Sequence, residues 1–278
     1  MHGRPRPLMI PASRRWAAAA LLLASTHALA AGDADAYRDL YEREVDRRLA
    51  VPDAEQARYA GLLRDSLRAH DLWPLASQFF LIVDRAPKVQ AAFVYWQSGS
   101  GSLRFIGASP CSTGKPGRYE SFETPLGVFD HSVANPDFRA EGTRNEQGIR
   151  GYGERGLRVF DFGWVTAPRG WGDRHPGELR LQLHATDPAR LEPKLGSACS
   201  KGCVRIPAAM NVFLDRYGIL DADYEQARLA GRSPRVLNDA WQPTPWSGRY
   251  LVVVDTARPS RPVRAKPAPS RPHLRSPP

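Results

Sequence analysis

Three consecutive runs of apolar and aromatic residues constrain the fold of this chain more than any other feature. They are Phe79-Phe80-Leu81-Ile82-Val83, residues 89–96 and residues 103–109, separated by short turns such as Ser98-Gly99-Ser100-Gly101. Short runs of this kind, bounded by Gly and Ser, are typical of β-strands. Strands joined by short turns pair antiparallel, so we expect a β-meander. Further strand-like segments lie near Leu126, near Leu179 and at residues 250–255. The sequence therefore predicts a mainly β domain with helices, as a largely antiparallel sandwich or barrel over residues 76–256.

Helical periodicity precedes the strands and recurs after residue 206. Apolar residues every four positions predict a helix over residues 37–49, and Pro52 breaks the run. A second helix begins near Asp53 and places Tyr59, Leu62, Leu63 and Leu67 on one face. We expect this N-terminal region, residues 31–75, to be a helical hairpin packed on the β domain. Pro207 suits the first turn of a third helix that ends at Gly218.

Both ends of the chain are basic, and the region between them is not. Of the formal net charge of +10, residues 1–30 carry four arginines, residues 257–278 carry six basic residues, and neither end carries an acid. The intervening region is balanced, which disfavours nucleic-acid binding. Residues 1–30 have a basic start, a short apolar stretch and Ala28-Leu29-Ala30, the pattern of a cleaved signal peptide. We therefore expect export, with no transmembrane segment left after cleavage. The Pro- and Arg-rich tail, residues 257–278, is expected to be disordered.

The candidate chemistry lies in Ser200-Lys201-Gly202-Cys203-Val204-Arg205 and in His184 upstream of it. A thiol becomes a good nucleophile when a base removes its proton, and histidine is the usual base. Gly202 permits a turn that exposes the sulfur of Cys203 together with backbone N–H groups. His184 ends the alternating run Leu179-Arg180-Leu181-Gln182-Leu183-His184, which predicts a strand leading into the site.

These residues resemble the L,D-transpeptidase catalytic domain (YkuD-type), whose signature is a histidine followed by Ser/Thr-His-Gly-Cys, a hydrophobic residue and Asn or Arg. An upstream block, Ser112-Thr113-Gly114 followed by Thr124-Pro125-Leu126-Gly127, is similar to the STG and TPxG segments of that family. The resemblance covers residues 78–220, about half of the chain. Lys201 stands where the family usually has histidine. Lysine can serve there if the position acts through its backbone carbonyl, but not if the imidazole itself takes part.

The resemblance implies an exported, periplasmic cell-envelope enzyme that acts on peptidoglycan stem peptides without a cofactor or a metal. Cys203 is the expected nucleophile and His184 the base, with the N–H groups of Gly202 and Cys203 binding the oxyanion. A carbonyl of Ala185 or Lys201 is expected to orient the imidazole. Arg205 either binds a substrate carboxylate or forms a structural ion pair, and Ser200 supports the loop.

The sequence does not decide which molecule accepts the acyl group. An amine of a neighbouring stem gives a crosslink, and an outer-membrane lipoprotein lysine gives anchoring. Water as the acceptor makes the protein an L,D-carboxypeptidase or hydrolase. A further alternative is an inactive cell-wall-binding protein.

Three other features leave alternatives open. In the resembled fold Cys111 and Cys199 lie near the site, so a disulfide between them is one hypothesis and two free thiols the other. A zinc site of His184, Cys199 and Cys203 is disfavoured because the ligand set is thin. Residues 129–177 hold few strand signals but many aromatics, which are expected to fill a satellite core at least in part. The resemblance implies that this segment covers the substrate channel. His131 and His175 in that segment are expected to be structural or surface residues.

Overall fold

The computed structural model describes residues 34–263, so the predicted signal peptide and residues 264–278 of the tail lie outside the described part of the chain. Within these residues, two mixed β-sheets and four α-helices form an open, sandwich-like and mainly β fold. The helices are α1 (34–44), α2 (Asp53–Ala69), α3 (Ala208–Arg216) and α4 (Ala222–Leu229). The strands are β1 (Gln78–Asp84), β2 (Ala91–Gln97), β3 (Leu103–Pro110), β4 (Gly127–Asp130), β5 (Phe138–Arg139), β6 (Arg158–Pro168), β7 (Pro176–His184), β8 (Val204–Arg205) and β9 (Tyr250–Val254). Among residues 34–263, no helix is long and apolar enough to cross a membrane.

The first sheet has the strand order β3-β2-β1-β9-β4 and the second the order β5-β6-β7-β8. The predicted meander is confirmed, since β1, β2 and β3 are antiparallel neighbours. The expectation of a largely antiparallel fold is met by five of the seven strand pairs in residues 34–263, but each sheet also contains one parallel pair. β9 runs parallel to β1, and β8 runs parallel to β7. Parallel neighbours need a crossover connection. The connection from β1 to β9 contains helices, and the connection from β7 to β8 contains the cysteine loop.

The predicted helical hairpin is wrong, although both helices form. Tyr41 of α1 packs in one apolar cluster with Phe79, whereas Tyr59 of α2 packs in a second cluster with Phe80. Successive residues of a strand point to opposite faces of the sheet. The two helices therefore cover opposite faces of the first sheet. α1 also ends at residue 44, earlier than the periodicity predicts.

The main core fills the space between the two sheets. It joins the inward face of the first sheet, through Leu81 and Val83, to Leu181 and Leu183 of β7 and to α3. α3 begins after Pro207 as predicted, and Gly218 beyond its end has a φ of +56°. The opposite face of β7 points away from this core and carries the polar residues described below.

Two further expectations need correction. Residues 158–168 form a long strand rather than a loop, and its alternation is interrupted at Asp161–Trp164, where Gly163 has a φ of +81°. This irregularity obscures the strand signal in the sequence. The start of the tail is also ordered against the domain, because Arg258 pairs with Glu55 and Arg261 donates to the carbonyl of Gly196.

Candidate active site

Strand alternation places the two key predicted residues on one outer face of the second sheet. Leu183 and Val204 are paired in the parallel β7–β8 ladder, and both side chains enter the core. Residues one position away from this pair therefore project from the opposite face. His184 is the last residue of β7 and Cys203 immediately precedes β8, so alternation directs both side chains to this face, where His184 is buried.

A backbone carbonyl orients the imidazole of His184. Nδ1 lies 2.5 Å from the carbonyl oxygen of Ala185, which can only accept, so Nδ1 carries the proton. Nε2 then keeps its lone pair and can act as a base. Burial lowers the pKa of His184 to about 4, and the nearby positive charge of Arg205 acts in the same direction. His184 is therefore neutral at neutral pH. Of the two carbonyls left open by the sequence, Ala185 is the one used, while that of Lys201 accepts from Phe122 N–H.

Cys203 is half-buried and its thiol is protonated in the resting arrangement. Burial raises the pKa of the thiol, although the backbone N–H of Gln182 and the charge of Arg205 partly oppose this. Its Sγ donates to the carbonyl oxygen of Arg180 at 3.6 Å. Within residues 34–263 no hydrogen bond joins Sγ to His184. The site thus holds a neutral thiol and a neutral imidazole rather than a preformed ion pair.

Hydrogen bonds from two hydroxyl groups hold the turn before Cys203. Ser200 Oγ donates to the Cys203 carbonyl at 2.6 Å and accepts from Gly202 N–H at 3.1 Å. Thr124 Oγ1 donates to the Gly202 carbonyl at 2.6 Å. Gly202 has a φ of +138°, and an added Cβ would lie 2.9 Å from Leu179, so glycine is required there.

These hydrogen bonds contradict one of the two predicted oxyanion donors. The N–H of Gly202 is already bonded to Ser200 and is not free for an oxyanion. The N–H of Cys203 donates to no other residue of the described chain, and its oxyanion role stays a prediction. Ser200 has the supporting role that the sequence predicts.

The upstream block lies directly against the cysteine loop. Ser112 exchanges two backbone hydrogen bonds with Arg205, and Ser200 N–H donates to the carbonyl of Thr113 at 3.0 Å. Gly114 has no room for a side chain, because a Cβ would lie 1.9 Å from the carbonyl oxygen of Phe122. Segments about ninety residues apart in sequence therefore form one structural unit.

Arg205 and Lys201 have different surroundings. Arg205 Nη1 donates to the carbonyl of Cys199, whereas its buried Nε has no partner within residues 34–263. Burial lowers the pKa of Arg205, and no carboxylate is among the charges that act on it. Within residues 34–263, Arg205 therefore does not form the structural ion pair that was considered for it. The side chain of Lys201 is exposed and pairs with Glu120, outside the site.

Four polar residues that the sequence interpretation did not assign also border the thiol. Tyr152 donates to Gln182 Oε1 at 2.9 Å, and its ring meets the His184 ring edge-on with centroids 4.8 Å apart. The buried carboxylate of Asp161 accepts from Gln182 Nε2 and from Arg180 Nε. The alternation of β7 was the available signal, since Arg180 and Gln182 share the face of His184.

Cys111, Cys199, His131 and His175 lie outside this constellation. Cys199 Sγ lies 3.0 Å from Ser112 Oγ, and the hypothetical disulfide between Cys199 and buried Cys111 does not form. No group of three His, Cys, Asp or Glu in the described residues is arranged to hold a metal ion. His131 is fully buried between the carbonyl of Leu220 and Asp137, while His175 is exposed beside Asp173.

Comparison with known proteins assigns no family to this chain. No family model matches the sequence, and no curated protein matches it. Two solved structures of the helical cell shape determining protein Pgp2 from Campylobacter jejuni are similar in structure. One is 14% identical with a TM-score of 0.29, covering 69% of this chain and 51% of that one. The other, a mutant of the same protein, is 13% identical with a TM-score of 0.29, and the match covers 84% of this chain and 57% of that one. The chain thus spans little more than half the length of these structures, and likeness at this level carries no argument about function.

Proposed function

We propose that this protein is a cysteine-dependent acyltransferase of the cell envelope, an L,D-transpeptidase acting on peptidoglycan stem peptides. The observation that carries the proposal is the outer face of the second sheet. Strand alternation directs Cys203 and His184 to that face, and the bond to Ala185 leaves Nε2 of His184 available as a base. The motif resemblance supplies the substrate class, a stem peptide that ends in a D-amino acid.

In the first step, the Cys203 thiol leaves the Arg180 carbonyl and turns toward His184. Hydrogen bonds between nucleophile and base are often long before substrate binds and shorten in the complex. His184 Nε2 takes the thiol proton while Sγ attacks the carbonyl of the third residue of the stem. The Cys203 N–H stabilises the oxyanion, a contribution worth roughly 3–4 kcal/mol for one well-placed donor.

Collapse of the tetrahedral intermediate breaks the C–N bond and leaves a thioester on Cys203. The imidazolium of His184 returns its proton to the departing amine of the D-amino acid. An acceptor amine then attacks the thioester, gives a proton to His184 and releases the thiol. Arg205 suits the terminal carboxylate of the donor, because its guanidinium has no carboxylate partner in the described chain and forms planar pairs with that group.

The test is to incubate the purified protein with muropeptides and to measure the products by mass. We expect dimeric products and released D-amino acid from the native protein and none from the Cys203→Ala variant. Tripeptide alone would identify a hydrolase, and unchanged substrate would favour an inactive wall-binding protein.

A second measurement separates chemistry from folding. The resemblance implies that a carbapenem acylates Cys203, so intact mass should show one adduct on the native protein. The Cys203→Ala variant should unfold at a similar temperature and remain unmodified. An adduct on that variant would contradict the assignment of the nucleophile.

A further inference from the structure

A cavity of about 410 Å³ opens beside α4, between that helix, the segment that precedes β5 and the loop that follows α4. Its volume lies within the range of sites for small ligands, about 300–1,000 Å³. None of the residues assigned to the proposed reaction lines it. The apolar part of its wall is formed by Val133, Pro136, Ala227, Pro234 and Val236. The cavity is therefore a second candidate site, with a wall against which an apolar group can pack.

Two arginines without an acidic partner stand at this cavity. Arg232 and Arg235 line it and are exposed, and within residues 34–263 neither side chain forms an ion pair or a hydrogen bond. Gly231 follows α4 with a φ of +80°, and the N–H of Arg232 donates back to that helix at 3.0 Å. At the other end of the loop, the carbonyl of Val236 accepts two N–H groups of Arg139. Anchored backbone thus holds both positive charges at the cavity.

The hydroxyl group of Tyr224 supplies a further donor. Tyr224 lines the cavity although it is only 2% exposed, and its oxygen accepts from the backbone N–H of Asp137 at 2.8 Å. Burial raises the pKa of Tyr224, so the hydroxyl keeps its proton at neutral pH. That proton has no acceptor within residues 34–263. An acceptor atom on a ligand in the cavity would satisfy this buried donor.

The carboxylate of Asp137 is not available to a ligand, although the residue lines the cavity. Its side chain is fully buried, so the exposed part of the residue is backbone. Its oxygens accept from His131, from Arg158 and from the N–H of Asp161. The side chains of the described residues thus offer the cavity donors and positive charge but no free carboxylate. Such a set suits a carboxylate or a phosphate, with which guanidinium groups form planar pairs.

We propose that this cavity is a binding site for a small anion in which a carboxylate or phosphate group is joined to an apolar body. The anionic group pairs with Arg232 and Arg235 and accepts from Tyr224, and the apolar body lies against the proline and valine residues of the wall. This inference is independent of the proposed function, because the cavity shares no residue with the proposed reaction.

The experiment is a calorimetric titration of the full chain with two probes, phenyl phosphate and benzoate. We expect saturable binding of at least one probe at about 1 mM or below, as ligands of this size achieve. The tighter probe identifies the anionic group. Benzamide, a neutral probe of similar shape, should bind at least about tenfold more weakly than benzoate or phenyl phosphate.

Variants test whether the two arginines provide the affinity. Arg232→Gln and Arg235→Gln should each weaken binding of the tighter probe about fivefold, the effect of one exposed charge pair. Arg228→Gln is the matched control, because it removes the same charge from α4. Arg228 is exposed, lies 5.4 Å from the ring centroid of Trp241 and does not line the cavity. Its variant should bind with the affinity of the native protein.

A nuclear magnetic resonance titration locates the bound probe. The backbone amide signals of Asp137 and Ser233 should shift on binding, and those of Val204 and Arg205 should not. Four results would each overturn the inference: no saturable binding, equal affinity for benzamide, unchanged affinity in both arginine variants, or shifts confined to the cysteine loop. Acylation of Cys203 is measured separately, so failure of this inference leaves the proposed function intact.

Discussion

The most informative perturbation of this site is pH, because the environment of His184 makes an unusual prediction. Burial lowers the pKa of the imidazole to about 4. As a general base, His184 must be unprotonated in the free protein, so kcat/KM should fall on the acid side with a midpoint near pH 4. An ordinary histidine would give a midpoint near 6.5. At pH 5.5 the lowered pKa leaves roughly 97% of the base unprotonated, against roughly 9% for an ordinary one.

The assay is the rate of carbapenem acylation of Cys203 from pH 3.5 to 8, followed by intact mass, since such a profile reports the groups of the free protein. A nuclear magnetic resonance titration of the ring nitrogens of His184 gives the same pKa without relying on activity. The control is Cys203→Ala, which removes the acylation but keeps the titration. An acid midpoint near 6.5 in both measurements would refute the reasoning from burial.

The same shift links protonation of His184 to folding. Between pH 6.5 and 4 the unfolded chain binds this proton and the folded chain does not, so stability falls as pH falls. The loss approaches about 3 kcal/mol below pH 4. His184→Gln should remove this component from the pH dependence of unfolding.

The remaining predictions concern the support of the site and are measured by thermal or urea unfolding. Gly202→Ala should cost about 1–3 kcal/mol, because φ is +138° and the new Cβ would press on Leu179; unchanged stability would show that the turn relaxes freely. Thr124→Val should cost about 2 kcal/mol and slow acylation, since it leaves the buried Gly202 carbonyl without its donor. Arg158→Met should cost about 3–5 kcal/mol, because fully buried Arg158 neutralises buried carboxylates. The exposed pair of Arg249 with Asp130 should matter by less than about 1 kcal/mol when Arg249→Gln removes it.

Local pattern was sufficient to predict the strands of the meander, the helix after Pro207 and the candidate pair Cys203 and His184. Each of these depends on neighbours within a few residues, namely on alternation, on a helix-starting proline and on a glycine turn. The long strand β6 was missed because its irregularity at Gly163 breaks the alternation.

The tertiary structure decided the rest, because long-range contacts leave no signal at short range. The positions of α1 and α2 on opposite faces depend on which side of β1 each apolar stripe meets. Ala185 rather than Lys201 orients His184 because the Lys201 carbonyl is engaged by Phe122 N–H from a distant loop. The sequence by itself determined which groups have reactive chemistry, whereas burial and register determined their protonation, their partners and the face they share.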